Sequence, residues 1–262
     1  MPHGPSARRR TNGLASLASV RAHGGGALVV LRRLARTVGP LTHAVAPVER
    51  ALERYTDWHS ARFDARHGTE THARVRLGDL PVIRALEGEF AGYLSGPVCP
   101  AFFDEIVRKL PVERSRFTFV DVGAGKGRAV MLAHRHGFRR LVGLEFSSDL
   151  IAIAQENVAR FARSIGRPVQ VQWAHADAAQ YAYPHEPSVL FLNNPFPGEI
   201  ADGVLARIEA SLAECPRPLV LAYRRPPPMA MARVDASPAL VLHHSTPYWR
   251  VYVSRAVASM SR

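Results

Sequence analysis

The stretch Phe119-Val120-Asp121-Val122-Gly123-Ala124-Gly125-Lys126-Gly127-Arg128 decides the fold of this chain. Its apolar first half predicts a buried β-strand, its glycines predict a tight turn, and the residues after the turn predict a helix. Glycine accepts positive φ and carries no side chain, so a nucleotide-like ligand can lie against the bare backbone of such a turn. The spacing is Gly-x-Gly-x-Gly; the dinucleotide-binding spacing Gly-x-Gly-x-x-Gly fails because position 128 is Arg.

Helical and strand patterns alternate from residue 100 onward. Such alternation predicts an α/β fold with a doubly wound, mostly parallel sheet and right-handed crossovers. Seven strands are predicted, over residues 116–122, 140–145, 169–174, 188–193, 218–223, 239–244 and 249–253, the last two as a hairpin. Helices are predicted over residues 27–38, 47–66, 82–93, 101–110, 126–136, 148–164 and 199–215.

The acid before the glycines makes the first motif more specific. The pattern Asp121-x-Gly123-x-Gly125-x-Gly127 resembles the first motif of the class I S-adenosylmethionine (SAM) dependent methyltransferases. The resemblance covers roughly residues 100–254. It implies a seven-stranded sheet, SAM as cofactor and S-adenosylhomocysteine (SAH) as product. We therefore expect a basic arm over 1–46, a helical extension covering the site over 47–99, and a SAM-binding domain over 100–262.

The glycine turn is expected to hold the amino-acid tail of SAM. Free backbone amides of Gly123, Ala124, Gly125 and Gly127 at a helix start favour binding of the tail carboxylate. Asp121 can accept hydrogen bonds from the tail ammonium. Alternatively, Asp121 only caps the turn.

Two further acids follow the next two strands. Glu145 ends the second strand, where a carboxylate can accept hydrogen bonds from both ribose hydroxyls. The resemblance implies that Asp177 binds the adenine amine and that the backbone amide of Ala178 meets a ring nitrogen. Capping of a turn by Asp177 is the alternative. Phe146 is expected to pack either on adenine or in the core.

The fourth strand ends in Asn193-Asn194-Pro195-Phe196, where ligands of doubly wound sheets bind. This run resembles part of the (Asp/Asn)-Pro-Pro-(Tyr/Phe) motif of amino-group methyltransferases, with Phe196 in place of the second proline. The chain is more similar to a bacterial group of uncharacterised class I methyltransferases. That group has Asn-Pro-Phe here and an upstream Phe-Asp-x-x-His-Gly-x-x-Thr stretch, which residues 63–71 match.

Asparagine cannot ionise, so Asn193 and Asn194 favour an amine acceptor over a hydroxyl that needs deprotonation. A protein side chain is one candidate for that amine. His67, in the upstream stretch, is a candidate base on a segment that folds over the cofactor. Three alternatives stay open: an O- or small-molecule methyltransferase, a non-catalytic nucleic-acid-binding module of the same fold, and a nicotinamide oxidoreductase.

The charge of the chain is strongly positive. Lys and Arg number 34 against 22 Asp and Glu, a net charge of +12, and residues 1–48 contain seven Arg and no acid. Such an arm can touch nucleic-acid phosphates, but a solvated arm is the favoured interpretation. The two cysteines have no metal spacing, so no metal is predicted. No apolar run reaches the ~18 residues of a membrane span, and the predicted location is cytoplasmic.

Overall fold

A computed structural model describes residues 42–73, 75–76, 94–193, 196, 198–226 and 228–260. The predicted helices over 27–38 and 82–93, and the predicted basic arm up to residue 41, lie outside these described residues. The chain divides into two compact units, residues 1–53 and 54–262. All the predicted site residues belong to the second unit, which also contains residues 54–99 of the expected extension.

The second unit contains a seven-stranded sheet in the order β3-β2-β1-β4-β5-β7-β6. β1 to β5 run parallel, whereas β7 pairs antiparallel with both β5 and β6. The predicted doubly wound sheet with a closing hairpin is therefore confirmed. The strands are β1 (Thr118–Val122), β2 (Arg140–Glu145), β3 (Gln172–His175), β4 (Ser188–Asn193), β5 (Leu219–Arg224), β6 (Leu240–Ser245) and β7 (Trp249–Ser254).

Seven α-helices occur in the described ranges, five of them close to predicted ones. They are α1 (Thr42–His67), α2 (Pro100–Arg108), α3 (Arg128–Arg135), α4 (Ser148–Ile165), α5 (Gly198–Glu214), α6 (Pro228–Asp235) and α7 (Arg255–Met260). A 3₁₀ turn over Arg114–Arg116 precedes β1, and two short strands, Val75–Arg76 and Leu94–Ser95, pair separately.

The sequence predicts neither α6 nor α7. Three consecutive prolines over 226–228 indicate a loop, yet Pro228 occupies the first position of α6, where a missing N–H costs nothing. α7 has only six residues, too few for an apolar helical repeat to become visible.

The core has two layers, one on each face of the sheet. Successive strand side chains point to opposite faces, so Phe119 joins one cluster and Val120 the other. Helices α2, α3, α4 and α7 pack on the first face and α5 and α6 on the second. The crossovers proceed from β1 toward β2 and β3, and from β4 toward β5. The carboxyl ends of β1 and β4 therefore border a topological switch point, where such sheets bind ligands.

Candidate functional site

The glycine turn after β1 has the backbone that its sequence predicts. Gly123, Gly125 and Gly127 have φ of 80°, 52° and 84°, all in the left-handed region. Only glycine adopts these angles without strain. The turn brings the chain directly from the buried strand into α3, which begins at Arg128.

Four of the five amides of this turn are already engaged. The N–H groups of Gly123 and Ala124 donate to one carbonyl of β2, at 2.9 and 3.0 Å. Gly125 N–H donates to Glu145 Oε2 at 2.8 Å. Gly127 N–H donates to the carbonyl oxygen of Ala124 at 2.9 Å. The prediction that these four positions offer free amides is therefore wrong. A buried turn beside a parallel strand satisfies its own N–H groups.

Glu145, at the end of β2, faces the glycine turn. Its Oε2 accepts from Gly125, and its Oε1 accepts from the N–H groups of Phe146 and Ser147, both at 3.1 Å. Burial raises the pKa of Glu145, and the three amide donors oppose that rise. Each carboxylate oxygen can accept more than one hydrogen bond, so the side chain retains acceptor capacity. Glu145 is 6% exposed and is not among the residues that line the cleft above the sheet, so its binding of the ribose stays a prediction.

Asp121 is 3% exposed and lines an open cleft above the sheet. Burial, and then the charge of Glu145, raise the pKa of Asp121 well above its usual value. A cation placed beside Asp121 would offset both effects, because it stabilises the charged form of the carboxyl group. The ammonium group of a SAM tail is such a cation, and the site fits it.

The cleft is open to solvent. Asp121 and the glycine turn line it, and Asn193, at the end of the neighbouring strand β4, lines it as well. Thr71 and Ala73 contribute one wall, and residues 96–98 contribute another. The carboxyl ends of β1 and β4 and two segments of the expected extension thus border one cavity.

The predicted adenine-binding residues lie beyond the cleft. Asp177 is exposed, and its Oδ1 accepts from Ala179 N–H at 2.9 Å, which is the turn-capping geometry of the alternative interpretation. Ala178 is buried, with its carbonyl bound by the hydroxyl of Tyr183 at 3.0 Å. Phe146 is half-buried. A cap does not exclude an adenine contact, and that role remains a prediction.

At the end of β4, the side chain of Asn193 is held on both sides. Its Oδ1 accepts from Arg224 Nη1 at 2.8 Å, and its Nδ2 donates to the carbonyl of Gly96 at 3.0 Å. Arg224, at the end of β5, has its pKa lowered to about 10, chiefly by burial. Phe196 packs partly buried against the cluster beneath α5, whereas positions 194 and 195 lie outside the described residues.

His67 lies among aromatic rings and not in the cleft lining. Its Nδ1 is 2.7 Å from Ser164 Oγ, and its ring lies 4.7 and 4.8 Å from those of Phe63 and Phe161. Burial lowers the pKa of His67, and nearby arginine charges lower it further. This placement favours a packing role for His67 over the role of a base.

Asp64, four residues after Ser60 on α1, organises the segment that follows the helix. Its carboxylate accepts from the hydroxyls of Thr69 and Thr71 at 2.6 and 2.8 Å, and from the N–H groups of Thr71 and His72 at 2.8 and 2.6 Å. It also pairs with Arg128 at 3.1 Å. This one carboxylate therefore connects the cleft wall to the first residue of α3.

Asp64, Arg128 and Arg224 are the site residues that sequence reasoning missed. In the sequence, Arg128 stands out only as a departure from the dinucleotide spacing, and Asp64 only as part of the upstream stretch. The available signal was the presence of an acid in that stretch and of a cation at the start of α3. Nothing local indicates that the two meet, since 64 positions separate them.

The class of protein follows from the fold and a family comparison. Residues 119–214 match the sequence model of the methyltransferase domain. Together with the strand order, this makes the chain a SAM-dependent methyltransferase with a class I fold.

Several solved structures are similar to this chain. Magnesium protoporphyrin IX methyltransferase from Synechocystis PCC 6803 with bound SAM is 13% identical, with a TM-score of 0.41, covering 59% of this chain and 78% of that one. A ribosomal protein L11 methylase from Lactobacillus delbrueckii subsp. bulgaricus is 14% identical, with a TM-score of 0.42 and coverages of 58% and 75%. A putative methylase from Haemophilus influenzae is 16% identical, with a TM-score of 0.42 and coverages of 70% and 99%. The comparison with curated protein sequences gives no match.

No helix in the described residues is long and apolar enough to cross a membrane. In the same ranges, no three His, Cys, Asp or Glu side chains come together as a metal site requires.

Proposed function

We propose that this methyltransferase acts on an amine acceptor bound at the carboxyl ends of β1 and β4. The observation that supports this is the cleft, which joins Asp121 and the glycine turn to Asn193. When bound, SAM supplies a methyl group already activated by a positively charged sulfur. The chain then has to orient the acceptor and exclude water, and needs no metal for either task.

The acceptor end of the cleft supports an amine. Asn193 cannot ionise, and its side chain is oriented by Arg224 and Gly96. None of the residues lining the described cleft is a histidine. An amine that arrives neutral needs only hydrogen-bond acceptors around its N–H groups, whereas a hydroxyl also needs a base. We infer that Asn194, Pro195 and Phe196, which follow Asn193 in the sequence, also act on the acceptor, as the resemblance to the amino-group motif implies.

The walls of the cleft favour a small acceptor as a second candidate. Thr71, Ala73 and residues 96–98, all from the expected extension, line the cleft. A side chain attached to a folded protein has to bring its backbone up against these segments, whereas a free small molecule has no such bulk. Methylation of a small molecule, at nitrogen or oxygen, is therefore the alternative that this geometry supports.

Binding of SAH tests the cofactor site. We expect SAH at 100 times its dissociation constant to stabilise the protein by about 2.7 kcal/mol. Glu145→Ala should abolish the accompanying rise in Tm, because it removes the acid that faces the glycine turn. Glu113→Ala, which removes an exposed acid bonded to Ser115, should keep the rise. No rise in the wild type at saturating SAH would contradict the proposed function.

The acceptor itself is identified by transfer of a labelled methyl group. The protein is incubated with SAM carrying an isotopically labelled methyl, together with either the proteins or the small molecules of a cell extract. Label on an amine, whether of a protein or of a small molecule, supports the amine proposal, and label confined to small molecules supports the second candidate. Fragmentation by mass spectrometry then distinguishes nitrogen from oxygen, and label on oxygen alone would exclude the amine.

A further inference from the structure

Arg128 is a buried cation that also lines the cleft. Its side chain is 2% exposed. Nε donates to Thr71 Oγ1, and Nη2 donates to Asp64 Oδ1 at 3.1 Å and to the carbonyl of Ser60 at 3.3 Å. The guanidinium also lies over the ring of Phe63, 4.6 Å from its centroid. These contacts fix the plane of the guanidinium group.

One nitrogen of this group remains without a partner. Arg128 Nη1 is buried and has no hydrogen-bond partner among the described residues. A buried N–H donor without an acceptor costs free energy, and more so when it carries charge. Native structures satisfy such groups, so an unpaired donor in a cleft indicates a ligand acceptor.

Several of the other donors around the cleft are already used. The amides of Gly123, Ala124, Gly125 and Gly127 all have partners within the protein. Lys126, the other cation of the lining, donates from Nζ to the carbonyl of Ala73 at 3.1 Å on the exposed side. Arg128 is therefore the buried cation of the lining with an unused N–H group, and the backbone N–H groups of Lys126 and Ala129 lie beside it at the start of α3.

We propose that Arg128 Nη1 binds the carboxylate of the amino-acid tail of the cofactor while Asp121 binds its ammonium group. This assignment rests on the proposed function. A carboxylate and a guanidinium that line the same cleft complement a zwitterion, and an α-amino acid is a zwitterion. A charge-assisted hydrogen bond in a buried site is among the stronger polar contacts.

The same assignment gives the Asp64 segment a role. Asp64 and Thr71 hold Nη2 and Nε, so Nη1 is the nitrogen left for the ligand. Asp64 is thus a positioning residue, since it acts on the ligand only through Arg128.

The test removes one carboxylate from the ligand and one guanidinium from the protein. Calorimetry measures the affinities of SAH and of decarboxylated SAH for the wild type, Arg128→Gln and Arg217→Gln. Arg217 is the matched control: it is 4% exposed, its Nε has no partner in the described structure, and it precedes β5 at the opposite end of the sheet.

We expect the wild type and Arg217→Gln to bind SAH roughly 10- to 100-fold more tightly than decarboxylated SAH. Arg128→Gln should bind both ligands with similar, weak affinity, because the two deletions remove the same interaction. Equal binding by the wild type would overturn the assignment whether or not Arg128→Gln folds. Undiminished discrimination in Arg128→Gln would overturn it in favour of Lys126. A wild type that binds neither ligand would overturn the proposed function as well.

Discussion

The glycine turn and the segment over residues 63–73 border the same cleft but are held in different ways. The turn is held by backbone hydrogen bonds to the adjacent strand, such as that from Gly123 to β2. The segment is held by side chains that are distant in sequence: Asp64 to Arg128 and His67 to Ser164. One wall of the site is thus a property of a few neighbouring residues, and the other depends on the whole fold.

This difference has an energetic consequence. A backbone turn loses stability when its dihedral angles or its close packing are violated. A buried ion pair loses stability when one partner is removed, because the other charge remains buried without compensation. The two walls should therefore respond to mutation with different magnitudes and through different measurements.

The largest effect is expected from Asp64→Ala. The variant removes five hydrogen bonds and leaves Arg128 buried without its counter-charge. Loss of one partner of a buried pair costs about 3–5 kcal/mol. Urea unfolding measures it, with Glu70→Ala as control, since Glu70 is 76% exposed in its pair with Arg160. Similar losses in both variants would show that the Asp64 network adds no more than a surface pair, which is worth about 1 kcal/mol or less.

A smaller effect of opposite sign is expected from Asp121→Asn. Because the pKa of Asp121 is raised in the folded protein, that state holds the proton more tightly than the unfolded chain. The free energy of unfolding therefore falls as pH rises above about 4, the pKa of an unfolded Asp. Asparagine removes this loss, so the ligand-free variant should be about 1–3 kcal/mol more stable at pH 8.

Urea unfolding at pH 5 and pH 8 checks this expectation, with a smaller gain at the lower pH. The same substitution should weaken SAH binding, since the neutral amide cannot form an ion pair with the tail ammonium. A variant that is less stable than the wild type at pH 8 would show that ionised Asp121 is already compensated in the absence of ligand.

The smallest effect is expected from Gly127→Ala, and its comparison with Gly137→Ala distinguishes steric crowding from backbone strain. Gly127 and Gly137 have similar φ of +84° and +74°, but a Cβ on Gly127 would lie 3.2 Å from Ala154 Cβ and 3.3 Å from Trp173. A Cβ on Gly137 would meet nothing within 4 Å. Both Gly→Ala variants should lose about 1 kcal/mol from φ, and Gly127→Ala about 1 kcal/mol more from crowding. Equal losses by thermal unfolding would show that α4 and β3 yield to the added methyl.

The strands were predictable because each carries its own signal. Buried parallel strands such as β4 are continuous apolar runs, and the glycine turn carries its backbone requirement in its composition. The positions of the last two strands, β6 and β7, in the sheet order came only from the resemblance to a family. Helix α6 escaped prediction because its prolines resemble a loop. The Asn193 position was predicted, but its contacts with Arg224 and Gly96 were not.

The amino-acid sequence by itself determined the strand–turn–helix unit at Asp121 and the class of ligand that it suits, because those properties depend on neighbouring residues. Only the tertiary structure decided that four of the turn's five amides are occupied and that Arg128 lies buried in the cleft with one nitrogen unpaired. The physical reason is distance along the chain. Hydrogen bonds and ion pairs across 64 or 97 positions form only after the sheet has brought their partners together.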